Sequence, residues 1–200
     1  MLLNRFETAV MRHPLRHAVQ RRFEAARLQA IGGDVAGGLA LEVGCGCGVG
    51  SEIIHERFGA TRVDAFDLDP EMIDLARCRL ARFGDLVRLW VGDAMHIDAE
   101  DETYDAVFDF GILHHVPEWR VAVREIHGVL RPGGRLFAEE VYAAFILHPV
   151  WRRLLAHPTR DRFDHPSFGG ALRDAGFEVH AERKLGHWFG WHIADRLPRA

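Results

Sequence analysis

Between Leu39 and Gly50 the chain passes from an apolar segment directly into a stretch where Gly44, Gly46, Gly48 and Gly50 alternate with other residues. Leu39–Val43 is apolar except for Glu42, which suits a strand buried on both faces of a sheet. Bare backbone immediately after such a strand, followed by the helix-like Ser51–Phe58, predicts a strand–turn–helix unit. A ligand can approach the backbone of such a turn closely.

The same alternation repeats downstream. Arg62–Phe66 reads as a strand, and Asp69-Pro70 supplies an N-cap and a first-turn proline for the next helix. That helix puts Met72, Ile73, Ala76, Leu80 and Phe83 on one face. Leu86–Val91 and Tyr104–Phe110 read as strands, and Pro117–Leu130 as a helix with Trp119, Val123, Ile126 and Leu130 inward. Pro132-Gly133-Gly134 turns into a strand over Arg135–Val141. Strands separated by helices of this length imply an α/β fold with a mainly parallel sheet and right-handed crossovers. The tail differs. After a helix over Ser167–Ala175, the strands Phe177–Leu185 and Trp188–Ala194 are joined by little more than Gly186-His187, so they must form a hairpin at the sheet's edge.

Ahead of this pattern, residues 1–31 repeat apolar residues at helical spacing (Phe6, Val10, Leu15, Ala18, Val19, Phe23, Ala26 and Leu28), with Pro14 dividing two helices. Six arginines against two glutamates make this arm basic. We expect residues 1–35 to form a helical arm, packed on the domain or serving as a lid, and residues 36–200 to form the main domain. At 48% apolar and 27% charged, 200 residues suffice for one domain with a sizeable core. No apolar run reaches the ~18 residues of a membrane span. A formal charge of −4 argues against general binding to nucleic acid. Three cysteines, two of them Cys45 and Cys47, make a disulfide framework improbable; with no signal-peptide layout at the start, a cytoplasmic location is expected. Oligomeric state is not legible.

The glycine loop alone does not identify a ligand. A dinucleotide fingerprint, G-x-G-x-x-G, would need its third glycine at Val49 or Ser51, and fails at both. Two carboxylates strengthen the signal. Asp67 ends the second strand, where it could accept hydrogen bonds from a ribose diol, and Asp93 follows the third, where it could accept an adenine amine.

With these features in order, the chain resembles the class I S-adenosylmethionine-dependent methyltransferases, in particular the ubiquinone/menaquinone-type group and related small-molecule methyltransferases. The matching segments are Leu41–Gly48, Phe66–Met72, Val91–Ala94, Tyr104–Val107, Leu113–Val116 and Leu130–Gly134, with a further match over Leu172–Phe177. The resemblance implies a Rossmann-like seven-stranded sheet in the order 3-2-1-4-5-7-6, strand 7 antiparallel, with helices on both faces. It also implies S-adenosyl-L-methionine as cofactor. Gly44, Gly46 and Gly48 would make room for its methionine part, with Cys45 a packing or backbone position and Glu42 orienting the loop. Asp67 would hold the ribose, Leu68 and Met72 would flank the adenine, and Asp93 and Ala94 would address its edge. Asp109, Phe110 and Gly111 would lie beneath the methionine and sulfonium.

Methyl transfer from a sulfonium is an in-line displacement, which needs a base only where the acceptor must lose a proton. Candidates for catalytic roles are His114 and His115 after strand four, and Glu139 and Tyr142 at the end of strand five, with Glu139 and Glu140 on opposite sheet faces. No metal-ligand spacing stands out among the thirteen histidines, Cys45-x-Cys47 offers only two ligands, and the lone asparagine, Asn4, is far from a catechol-type metal site. Asp109-Phe110-Gly111-Ile112 stands where amino-methylating nucleic-acid enzymes carry an Asn/Asp-Pro-Pro-aromatic tetrapeptide. A small-molecule or lipid-like acceptor remains. Residues 142–163 carry Tyr142, Phe145, Ile146, Leu147, Val150, Trp151, Leu154 and Leu155 with Arg152 and Arg153, a pattern expected of an amphipathic lid that covers the acceptor or makes a peripheral membrane contact. The alternative is a non-catalytic partner protein that binds the cofactor without transferring its methyl group.

Overall fold

A computed structural model describes residues 4–35, 37–154, 157–158 and 160–198. Leu155 of the expected lid lies outside the described residues, as do residues 1–3 of the arm. Seven strands form one sheet: β1 (Leu39–Val43), β2 (Arg62–Asp67), β3 (Val87–Val91), β4 (Tyr104–Phe110), β5 (Leu130–Val141), β6 (Phe177–Leu185) and β7 (Phe189–Arg196). Their order is β3-β2-β1-β4-β5-β7-β6. Strands β1 to β5 pair in parallel, while β7 runs antiparallel to both β5 and β6. The sheet is therefore the Rossmann-like arrangement expected. β5 begins at Leu130, five residues earlier than Arg135, because Leu130 already pairs with Tyr104. Residues 131–134 then loop out, with Gly133 at φ 83°.

The helices are α1 (Arg5–Met11), α2 (Pro14–Val19), α3 (Ala25–Gly32), α4 (Val49–Glu56), α5 (Pro70–Leu80), α6 (Trp119–Val129), α7 (Ala143–Ile146), α8 (Trp151–Leu154) and α9 (His165–Asp174). Asp69 caps α5, accepting from the Glu71 N–H, and Asp164 with Ser167 forms a capping box on α9. One apolar cluster packs α6 and α9 against the sheet, including Trp119, Val123, Ile126 and Leu172. A second packs α3 and α4 on the sheet, around Phe58, Phe108 and Phe137. The Phe108 and Phe137 rings lie nearly parallel at 4.5 Å, and Phe58 meets both edge-on.

The arm departs from the sequence expectation. Val10, Leu15, Val19 and Phe23 remain at least 40% exposed, and Ala25 and Leu28 are what it buries in the core. The reason is a π-helical turn at Gln20–Glu24. Its wider winding rotates the faces of α2 and α3 relative to a continuous helix. The turn also sets arginines inward: Arg16 pairs with Glu24, and Arg21 with Glu52 and Glu56. Among the described residues no helix is long and apolar enough to cross a membrane.

Candidate functional site

A cavity of about 220 Å³ lies at the C-terminal ends of β1 to β4. Its position follows from topology. In the order β3-β2-β1-β4, the loops leaving adjacent strand tips stand side by side, so Asp93, Asp67, the glycine loop and Gly111–Pro117 line the cavity in sequence.

The glycine loop takes positive φ at Gly44 (70°), Gly46 (51°) and Gly48 (84°), a conformation costly for other residues. At Gly46 a Cβ would meet nothing within 4 Å, and the residue lines the cavity, so its backbone is open to a ligand. Gly44 is pressed against Ile112 of the loop after β4, while Gly48 packs on Leu80 and Ala76 of α5.

Asp67 is held by two backbone donors: its Oδ2 accepts from the Gly46 N–H at 2.8 Å and its Oδ1 from the Asp69 N–H at 2.9 Å. Burial pushes its pKa up, and these bonds pull it back. Leu68, Met72 and Ala94 line the cavity beside it. Asp93 Oδ1 accepts from the Met95 N–H at 2.9 Å, which orients the carboxylate at the strand tip.

Beyond the glycine loop the wall is Gly111, Ile112, His115, Val116 and Pro117, with Met11 from the arm. Behind it lies a buried polar network. Glu140 accepts from the Leu113 N–H at 2.6 Å and from the His114 Nδ1–H at 2.7 Å. Asp109 accepts from the Ile112 N–H at 2.8 Å. Burial, then the charge of Glu140, pushes the Asp109 pKa well above the usual carboxylate range. Burial, helped by the charge of Arg162, drives His114 down to about 4. His115 is pushed well below its ordinary value by burial and by its neighbours His114 and His157. All three rings are neutral near pH 7, since His157 falls to about 4 for the same reasons.

Of the sequence candidates, Gly44, Gly46, Asp67, Leu68, Met72, Asp93, Ala94 and His115 gather on the cavity wall. Others stand behind it. Glu42 is wholly buried under α4, where its Oε2 accepts from the Ser51 hydroxyl at 2.5 Å and a Cβ at Gly50 would overlap its other oxygen. Cys45 is buried in the small cluster with Ile73 and Ala76, and Phe110 stacks on Phe108 beneath the loop. Glu139 and Tyr142 lie elsewhere. Glu139 turns to the opposite face of the sheet from Glu140, accepting from Trp191 Nε1 at 3.0 Å. The Tyr142 hydroxyl is held between His165 Nδ1 at 2.7 Å and His192 Nε2 at 2.9 Å, under the β6–β7 hairpin.

Two residues beside the site carry no sequence signal. Met11 comes from the arm. His157 comes from the insertion after β5 and stacks on His115, with ring centroids 4.4 Å apart. The insertion is tied down by Arg162, which donates to the carbonyls of His114 at 2.5 Å, Val116 at 3.2 Å and Pro117 at 3.3 Å.

Residues 40–134 match the family profile described as a methyltransferase domain. The chain is 33% identical over 172 residues to a ubiquinone biosynthesis O-methyltransferase of Xanthomonas axonopodis pv. citri, covering 80% of this chain and 69% of that relative. It is 32% identical over 152 residues to a fatty-acid O-methyltransferase of Mycolicibacterium smegmatis, covering 76% of this chain and 48% of that one. In fold it is similar to a chain from the complex between the Haloferax volcanii Trm112 methyltransferase activator and a methyltransferase. The TM-score there is 0.78 at 17% identity, over 98% of this chain and 100% of the other.

Proposed function

The chain belongs to the class I S-adenosylmethionine-dependent methyltransferases, and we propose that it methylates an oxygen of an apolar, hydroxylated small-molecule or lipid-like acceptor. The cavity suits the cofactor: Gly46 offers open backbone on its wall, and Asp67 and Asp93 stand at adjacent strand tips. S-Adenosylmethionine supplies a methyl group on a positively charged sulfur. In this reading Asp67 holds the ribose diol, Asp93 and Ala94 meet the adenine edge, and Leu68 and Met72 flank its faces.

The observation that carries the acceptor half is the wall beyond the glycine loop, where Met11, Ile112 and Val116 surround a single titratable side chain, His115. Apolar walls exclude water and hold an apolar acceptor in line, and alignment of this kind can supply ~7–11 kcal/mol of the barrier. His115 Nδ1 is buried and has no hydrogen-bond partner. Its ring, kept neutral by burial, can accept a hydrogen bond from a hydroxyl presented to it. The two relatives that name their chemistry as O-methylation support the choice of oxygen.

The test is transfer of isotope-labelled methyl from the cofactor to a panel of hydroxylated quinones, catechols and long-chain acids, with matched amines and a nucleic acid as controls. The expected result is a methyl ether or ester on an apolar acceptor. Labelling confined to nitrogen or to nucleic acid overturns the reading.

A further inference from the structure

We propose that His114, His115 and His157 form a binding site for one divalent cation of the zinc class, at the acceptor end of the cavity. One candidate ligand atom from each residue lies within 4.8 Å of the other two. The rings are packed together, with centroids 4.3 Å apart for His114 and His115, 4.4 Å for His115 and His157, and 5.2 Å for His114 and His157. Packing alone would not favour imidazole over phenyl at these positions. The second observation is that Nδ1 of His115 and Nδ1 of His157 are buried without a hydrogen-bond partner. Buried polar atoms are rarely left so, and a cation takes up imidazole lone pairs.

The chemistry of the set selects the cation. Three imidazoles with a fourth position open are the donor pattern of catalytic zinc. Nitrogens bound at ~2.0–2.1 Å to a tetrahedral cation sit roughly 3.4 Å from one another, so the three rings must draw in by about 1 Å. The ligands come from two segments, because His157 stands on the insertion whereas His114 and His115 share the short turn after β4. Glu140 does for His114 what a carboxylate does behind many metal-bound histidines. It takes the Nδ1–H, at 2.7 Å, and thereby leaves the Nε2 lone pair for the cation. Glu7 of α1 adds negative charge, its Oε1 lying 3.7 Å from His157 Nδ1. The guanidinium of Arg162, bonded to the carbonyls of His114, Val116 and Pro117, opposes a cation here, and the carboxyl groups of Glu140 and Glu7 stand against it.

His115 lines the cavity, so the open position would face the acceptor. This role rests on the reading of the acceptor given above. With a cation in place, the cation rather than the His115 ring would acidify the acceptor hydroxyl. The O–H bond breaks and its proton leaves to solvent. The oxygen then forms the bond to the methyl carbon as the carbon–sulfur bond breaks, its electron pair staying on sulfur.

The test titrates the metal-stripped full chain with Co²⁺, followed by visible absorption, then with Zn²⁺ by displacement. Calorimetry with S-adenosylhomocysteine on the same samples reports the cofactor half. The expected result is one Co²⁺ per chain with the absorption of four- or five-coordination, displaced by Zn²⁺. His157→Ala should weaken binding at least ~100-fold while S-adenosylhomocysteine affinity holds, and Glu140→Gln should weaken it ~10–100-fold. No Co²⁺ binding, or binding that survives His157→Ala unchanged, overturns the site, and O-methylation by the cation-free chain would then leave the proposed function standing. A His157-dependent site in a chain that methylates no hydroxyl supports the cation and overturns the acceptor reading alone.

Discussion

At Asp67 one side chain ties the glycine loop and, in the proposed reading, meets the ribose as well. Its two oxygens are already bonded to the Gly46 and Asp69 N–H groups, which aims their remaining lone pairs at the cavity. Removing it takes away both the ribose acceptor and the tie that holds Gly46 open. Asp67→Ala should therefore weaken S-adenosylhomocysteine binding by ~1–3 kcal/mol, about 5–150-fold, in calorimetry. An unchanged affinity would remove Asp67 from the site. The neighbouring glycines separate two costs. Alanine at Gly46 is opposed by its positive φ alone, worth ~1–2 kcal/mol, whereas alanine at Gly44 also overlaps Ile112. Denaturant melts should rank Gly44→Ala below Gly46→Ala in stability, and equal midpoints would show that Ile112 yields freely.

At the level of elements, local pattern located the strands and brought the residues proposed for the cofactor onto one cavity wall, because both are written in consecutive residues. Leu39–Val43 is apolar because it is covered on both faces, and Asp67 and Asp93 stand at strand ends that the same apolar runs define. The acceptor half depends on segments distant in sequence. Met11 and His157 reach it from an arm and an insertion whose own spacing says nothing about what they cover. Period-two alternation put Glu139 and Glu140 on opposite faces correctly, yet could not tell which face backs the cavity. Tyr142 looked available at a strand end, until the β6–β7 hairpin brought His192 against its hydroxyl. The insertion is held to the β4 loop by Arg162 through three carbonyls. Arg162→Ala should free it and raise the acceptor KM roughly 10-fold or more, with cofactor affinity kept within about 2-fold. Steady-state kinetics alongside calorimetry checks this, and a matching loss of cofactor affinity would assign the insertion to the cofactor half instead.

For the whole molecule, buried titratable groups oppose one another across the pH scale. His114 and His157 fall to about 4 and His192 to about 3 in the folded chain, chiefly by burial. Unfolded histidine binds its proton near 6.5, so between about 4 and 6.5 the unfolded state holds more protons and stability rises with pH. Glu42 acts the other way. Burial lifts its pKa to about 8, despite the Ser51 hydroxyl that favours its ionised form. Between about 4.5 and 8 the folded state holds the extra proton, so this group's contribution is complete below 4.5 and is lost as pH rises to 8. Above pH 6.5 the histidine slope dies away while that of Glu42 continues, at ~1.4 kcal/mol per pH unit. The cofactor-free chain should therefore lose about 2 kcal/mol between pH 6.5 and 8 from this carboxyl. Glu42→Gln keeps the shape of the side chain but cannot ionise, so it should make that limb shallower in denaturant melts at the two pH values, while Glu140, raised to about 7 by burial, keeps its own share. If the variant loses stability as steeply as the parent, the proton under the glycine loop is not on Glu42.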